Sequence, residues 1–195
     1  HFQNIKKSKP VYNYSALATN VIMNYVIFKT GDDWEKLLHK VFNEHVGIKD
    51  SVYFSKTAGG RYGRYSFYAK RYDYLRIAKA MMDDWSNDTC PGKYLKTIYE
   101  RRIDKRSIYR DTYGNPSKWR NLKGKNVDNW TKKYGGQFYF NISGISKKRK
   151  ILGMEGAGGQ QILIDLDNKR IIVLNAVENN YNWKKIVHKK IKKKN

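Results

Sequence analysis

The sequence predicts an α+β fold: a mainly helical and loop region over residues 1–133, then antiparallel strands and a covering helix over 134–195, all in one domain. Three observations predict it. Apolar residues recur at helical spacing in four segments up to Ile103, the period changes to β-type runs from residue 135, and the last seventeen residues, "NNYNWKKIVHKKIKKKN", return to a helical pattern.

From Ser15 to Phe28, the residues Leu17, Val21, Ile22, Tyr25, Val26 and Phe28 keep near-helical spacing, and Gly31 ends the pattern. Asp32 or Asp33 is placed to cap a second helix, in which Trp34, Leu37, Leu38, Val41 and Phe42 fall on one face. A third helix is expected from Asp73 to Trp85, with Leu75, Ala78, Met81, Met82 and Trp85 inward, and a fourth from about Lys93 to Ile103 after the "CPG" break. Residues 104–133 are polar, carry Gly114, Pro116 and Gly124, and are expected to form long loops. The strand candidates are 135–142, 150–154, 160–166 and 170–177, the last two joined by a short Asp-Asn-Lys turn. In the closing helix Trp183, Ile186, Val187 and Ile191 are expected to face inward.

The chain has 195 residues, 40% of them hydrophobic, which is enough apolar material for one core. Its 40 Lys and Arg against 17 Asp and Glu leave a net charge of +23, which attracts phosphates or an anionic surface. A basic binding module for nucleic acid or an anionic surface is therefore one reading of the chain. The charge is spread along a sequence that is also rich in Asn, Ile and Tyr, so a compositional bias is the plain alternative. The one cysteine, Cys90, excludes an internal disulfide and is expected as a small buried or half-buried side chain. No stretch reaches the roughly 18 apolar residues that a transmembrane helix needs. The four histidines, His1, His39, His45 and His188, have no metal-ligand spacing, so no metal or organic cofactor is implied and each is expected at the surface. Asp165 and Asp167 flank the last hairpin turn, where Asp serves the backbone, and receive no catalytic role.

The order of these segments resembles one family. "VYNYSALATNVIMNYVIFKTGDDWEKLLHKVFNEHVGIKDSVY" resembles a Tyr-Ser-Asn segment that runs through a helix, a Thr-Gly turn and a second helix. "RYDYLRIAKAMMDDW" resembles the helix after it, and "GAGGQQILIDLDNKRIIVLNAV" resembles a glycine-rich entry into a hairpin. Together they are similar to the serine β-lactamase-like hydrolases, in the branch of class C β-lactamases, carboxylesterases and aminohexanoate-dimer hydrolases. Penicillin-binding proteins share the same chemistry. The resemblance implies a β-lactamase-like fold and a small-molecule amide or ester as substrate, cleaved through an acyl-enzyme. Members are often periplasmic or secreted; the segment that would carry a signal peptide is not in this sequence.

On that resemblance Lys29-Thr30-Gly31 is the turn between two helices, and the family's Lys-Thr-Gly strand is replaced by Ala157-Gly158-Gly159 leading into Gln160. Small residues there let an acyl group approach the backbone, and the N–H of Gln160 would serve in an oxyanion hole. The plain alternative is a glycine-rich bend before a hairpin. Tyr14 matches the catalytic tyrosine that moves the serine's proton to the leaving group, with Ala16 where the motif has Asn. A phenol with a free pKa of about 10 needs a nearby cation to act as a base at neutral pH. The nucleophile is missing. No Ser or Thr has Lys three residues later, and only 13 residues precede Tyr14, so the chain is expected to be the C-terminal part of a longer hydrolase, inactive alone, with an incomplete sheet. A family member without activity, used for binding, is the remaining alternative.

Overall fold

A computed structural model describes residues 12, 16–57, 64–105, 131–156, 160–175 and 183–192. It is α+β. Helix α1 spans Ala16–Thr30, and Gly31, at φ +52, turns the chain through the left-handed region where a residue without Cβ is unstrained. Lys29-Thr30-Gly31 is thus a helix end and a turn, as the periodicity indicated. A 3-10 turn over Gly31–Asp33 leads into α2, Trp34–Leu38, which continues as a π-helical turn over His39–His45. Asp33 occupies the cap position of α2 but its side chain makes no capping bond.

Strands β1 (Tyr53–Thr57) and β2 (Arg64–Tyr68) pair antiparallel as a separate two-stranded sheet. The helical periodicity did not reveal this hairpin. Cross-strand rings hold it together: Tyr53 stacks on Tyr68 at 4.8 Å and Phe54 lies 4.9 Å from Phe67. Phe42 and Trp34 then cover it from the preceding helices, at 5.3 Å from Phe67 and 5.8 Å from Phe54.

Helix α3 spans Arg71–Asn87 and ends on Asp88 at φ 53. Helix α4 starts earlier than the sequence suggested, at Cys90 rather than Lys93, because the Thr89 hydroxyl caps it by accepting from the Gly92 N–H and Pro91 fits the first turn. It ends at Arg101, and Ile103 belongs to a strand instead. The two helices touch at Gly92, where a Cβ would lie 1.9 Å from the Asp84 carbonyl oxygen. Cys90, at the start of α4, is exposed and not buried as its residue type suggested.

The main sheet has six strands in sequential order, all antiparallel: β3 (Ile103–Asp104), β4 (Thr131–Gly135), β5 (Phe138–Ile142), β6 (Ile151–Gly156), β7 (Gln160–Asp165) and β8 (Arg170–Leu174). It uses β3 and the first residues of β4 from the segment expected as loops; within that segment, 106–130 lie outside the described residues. Gly136 and Gln137, both at positive φ, form the tight turn between β4 and β5.

One face of the sheet packs on α3 and α4, where Ala78, Met82, Leu95 and Ile98 meet Phe140, Leu152 and Ile164. The opposite face packs on helix α5 (Trp183–Lys192), where Val187 and Ile191 meet Ile142, Ile151 and Leu163. Phe140 and Ile142 are two residues apart and would share a face in a regular strand. They serve opposite cores because Asn141 between them is at φ 59, held by the Arg102 guanidinium at 3.0 Å and by its own bond to the Lys147 carbonyl. The result is a helix–sheet–helix sandwich, and β3 and β8 are its edge strands among the described residues.

Candidate functional site

The sequence singled out Tyr14, Ala157, Gly158, Gly159 and Gln160. The first four lie outside the described residues. Gln160 opens β7, exposed, and pairs with Gly156 at the end of β6. Described residues close to the others in sequence include Tyr12, two residues before Tyr14, and Glu155, two residues before Ala157. These two come to one cluster.

The cluster is built on the sheet. Tyr134 of β4 and Tyr139 of β5 are cross-strand partners because the two-residue turn fixes their register, and their rings meet edge to face at 5.0 Å. The ring of Tyr12 closes on Tyr134 at 4.9 Å. Lys105, just after β3, extends its ammonium over the Tyr139 ring at 4.7 Å and lies 5.9 Å from the Tyr12 ring. The same ammonium donates to the Thr131 hydroxyl at 3.1 Å, and that hydroxyl donates to Glu155 Oε1 at 3.0 Å. A cation and a carboxylate are thereby joined through one hydroxyl that is 2% exposed. Lys105 and Glu155 are half-buried, and partly desolvated charges gain from such partners. The Tyr134 hydroxyl donates to Gln137 Oε1 at 3.0 Å, and Thr19 contacts the same oxygen at 3.3 Å, which ties the first turns of α1 to the β4–β5 turn.

Chemically the arrangement offers three things: an ammonium beside phenol rings, a carboxylate oriented by a neutral hydroxyl, and a glycine-lined strand end. Sequence reasoning did not find Lys105, Thr131, Tyr139 or Glu155. The signal for Glu155 was there in "MEGAGG", one acid leading a run of small residues; for Lys105 and Thr131 no local signal exists, because β3 and β4 pair across a long separation.

A second cluster surrounds Asp84. His45 Nε2 lies 2.9 Å from Asp84 Oδ2, the Thr89 hydroxyl donates to Asp84 Oδ1 at 2.6 Å, and Asp84 is 5% exposed. His45 is exposed, as the sequence suggested, and has a defined partner. In a third, Asp73 accepts from the backbone N–H groups of Lys49 and Asp50 and from Arg76. Burial pushes its carboxyl up, but those donors outweigh it and hold it below the usual carboxylate range. Asp165 binds Arg149 and Asn168, and Asp167 accepts from the Lys150 N–H, so both serve the turn. Among the described residues no three His, Cys, Asp or Glu side chains gather as a metal set, and no helix is long and apolar enough to cross a membrane.

No protein-family model matches this chain, and no curated protein and no solved structure matches it.

Proposed function

We propose that this chain is the C-terminal part of a β-lactamase-like serine hydrolase that cleaves amide or ester bonds, its nucleophile supplied by polypeptide upstream of His1. The single observation that carries the reading is the meeting of Tyr12 and Glu155 around Lys105 and Thr131. It links Tyr12 and Glu155, sequence neighbours of Tyr14 and of Ala157-Gly158-Gly159, through one chain of contacts. The sandwich also supports it, because an antiparallel sheet between a helical region and a terminal helix is the layout the resemblance implies.

In this reading Tyr14 takes the proton from the attacking serine hydroxyl as the oxygen bonds to the substrate carbonyl carbon. It then passes that proton to the leaving amine or alcohol, and water releases the acyl group by the reverse path. Lys105 supplies the cation that a tyrosine base needs near neutral pH. The Gln160 N–H stabilises the oxyanion, and Gly158 and Gly159 leave room for the acyl group.

The test has two arms. The isolated chain mixed with nitrocefin or p-nitrophenyl acetate gives no acyl-enzyme burst; a stoichiometric burst would show that a nucleophile was missed. The chain joined to its adjacent upstream coding sequence carries Ser-x-x-Lys and is acylated, with Tyr14→Phe slowing acylation about 100-fold or more. Lys105→Gln moves the acylation profile to higher pH. An upstream sequence without Ser-x-x-Lys, or a Tyr14→Phe variant as fast as the parent, overturns the proposal.

A further inference from the structure

The net charge of +23 says little by itself, since it is spread over the chain. The fold concentrates part of it. On α5, Val187 and Ile191 are each 1% exposed against the sheet. At about 100° per residue, Lys185, Lys189 and Lys192 fall on the opposite side of the helix, in a stripe roughly 10 Å long. All three are exposed.

Two further segments flank that stripe. The loop between β5 and β6 passes so close to α5 that a Cβ on Gly144 would lie 2.8 Å from His188 Nε2, and the same loop exposes Lys147 and Lys148. The β7–β8 hairpin reaches the last turn of the same helix, where the Arg170 guanidinium donates to the Lys190 carbonyl at 2.8 Å, and it exposes Lys169. Loop and hairpin are joined by the Lys150 N–H donating to Asp167 at 2.8 Å. The acids in these segments are engaged: Asp165 is buried against Arg149, and Asp167 pairs with Lys150.

We propose that this composite surface binds the phosphate backbone of duplex nucleic acid. Two features select that partner. Lysines on a rigid helix, a loop and a hairpin present separate point charges over a surface, as a row of phosphates requires. Among the described residues the exposed large apolar side chains all lie elsewhere, from Leu17 to Tyr94, and Val187 and Ile191 of α5 are buried, which favours a purely polar partner over a bilayer. The inference stands apart from the hydrolase reading.

The experiment is fluorescence anisotropy with a labelled mixed-sequence DNA duplex, measured from low to physiological salt. Two variants of equal charge are compared: Lys148→Gln/Lys189→Gln/Lys192→Gln on the surface, and Lys29→Gln/Lys36→Gln/Lys40→Gln on exposed positions of the first helices. The surface variant loses affinity about tenfold or more at low salt, and its slope of log K against log salt falls by roughly 2 to 3, while the control variant keeps the parent slope. Equal losses in both variants would show that net charge alone drives binding and would overturn the proposal. So would absence of binding by the parent, or tighter binding to phosphatidylserine vesicles than to the duplex.

Discussion

Across the six-stranded sheet, Phe140, Ile151, Leu152, Leu163 and Ile164 are each at most 1% exposed, whereas along α1 the residues Leu17, Val21, Ile22, Tyr25 and Phe28 are all more than half exposed. Both segments are equally apolar to the eye; the difference lies in what each packs against. The sheet is covered on both faces and its side chains interdigitate with two helical layers. The first helices and the β1–β2 hairpin rest instead on ring contacts and on polar anchors to α3, with Ile48 the buried apolar residue among those described there. Apolar composition therefore does not measure stability here; the presence of a second layer does.

Truncation breaks or confirms this contrast most strongly. Phe140→Ala is expected to cost about 3–5 kcal/mol in chemical denaturation, while Phe28→Ala stays within about 0.5 kcal/mol. Equal losses would mean that α1 is covered as the sheet is.

Glycine substitutions sharpen the same point. Gly92→Ala drives a Cβ into the Asp84 backbone and is expected to cost about 3 kcal/mol, because α3 and α4 must separate. Gly31→Ala meets nothing within 4 Å and carries only the left-handed backbone penalty, about 1 kcal/mol. Thermal melts of the two variants give the ordering.

Asp73 tests the polar anchor between the regions. Asp73→Asn leaves the Lys49 and Asp50 N–H groups and Arg76 without a full acceptor and is expected to cost about 2 kcal/mol. Its folded carboxyl titrates below the unfolded one, so its contribution is complete above about pH 4 and is lost as pH falls through the depressed folded value. Denaturant midpoints measured downward from pH 5 fall in the parent; in the variant this component of the fall is missing.

The helices and the last strands were legible because their signals are local. Ala78, Met82, Val187 and Ile191 sit at helical spacing, and all four are buried. The hairpin β7–β8 followed from two β-branched runs and a polar turn. What escaped was non-local or overridden. The hairpin of Tyr53, Phe54, Tyr65, Phe67 and Tyr68 had aromatic runs around a glycine-bearing link, but its pairing depends on rings contributed by Trp34 and Phe42. Strand β3 is two residues long and exists only through β4. The strand expected from Gln160 is β7, which opens on that residue. The pairing of Lys105 with Thr131 was not legible, because a hydrogen bond between positions 26 residues apart leaves no mark on either neighbourhood.

The proposed convergence of the amino-terminal tyrosine on the glycine run between β6 and β7 is tested most directly by cross-linking. Cys90 is exposed and is first replaced by Ser. Cysteines are then placed at Tyr14 and Gly158 and treated with a short bismaleimide, with a Tyr12→Cys/Tyr134→Cys pair as the positive control. The account predicts an intramolecular cross-link in both pairs. A control that cross-links while the Tyr14→Cys/Gly158→Cys pair does not would contradict it.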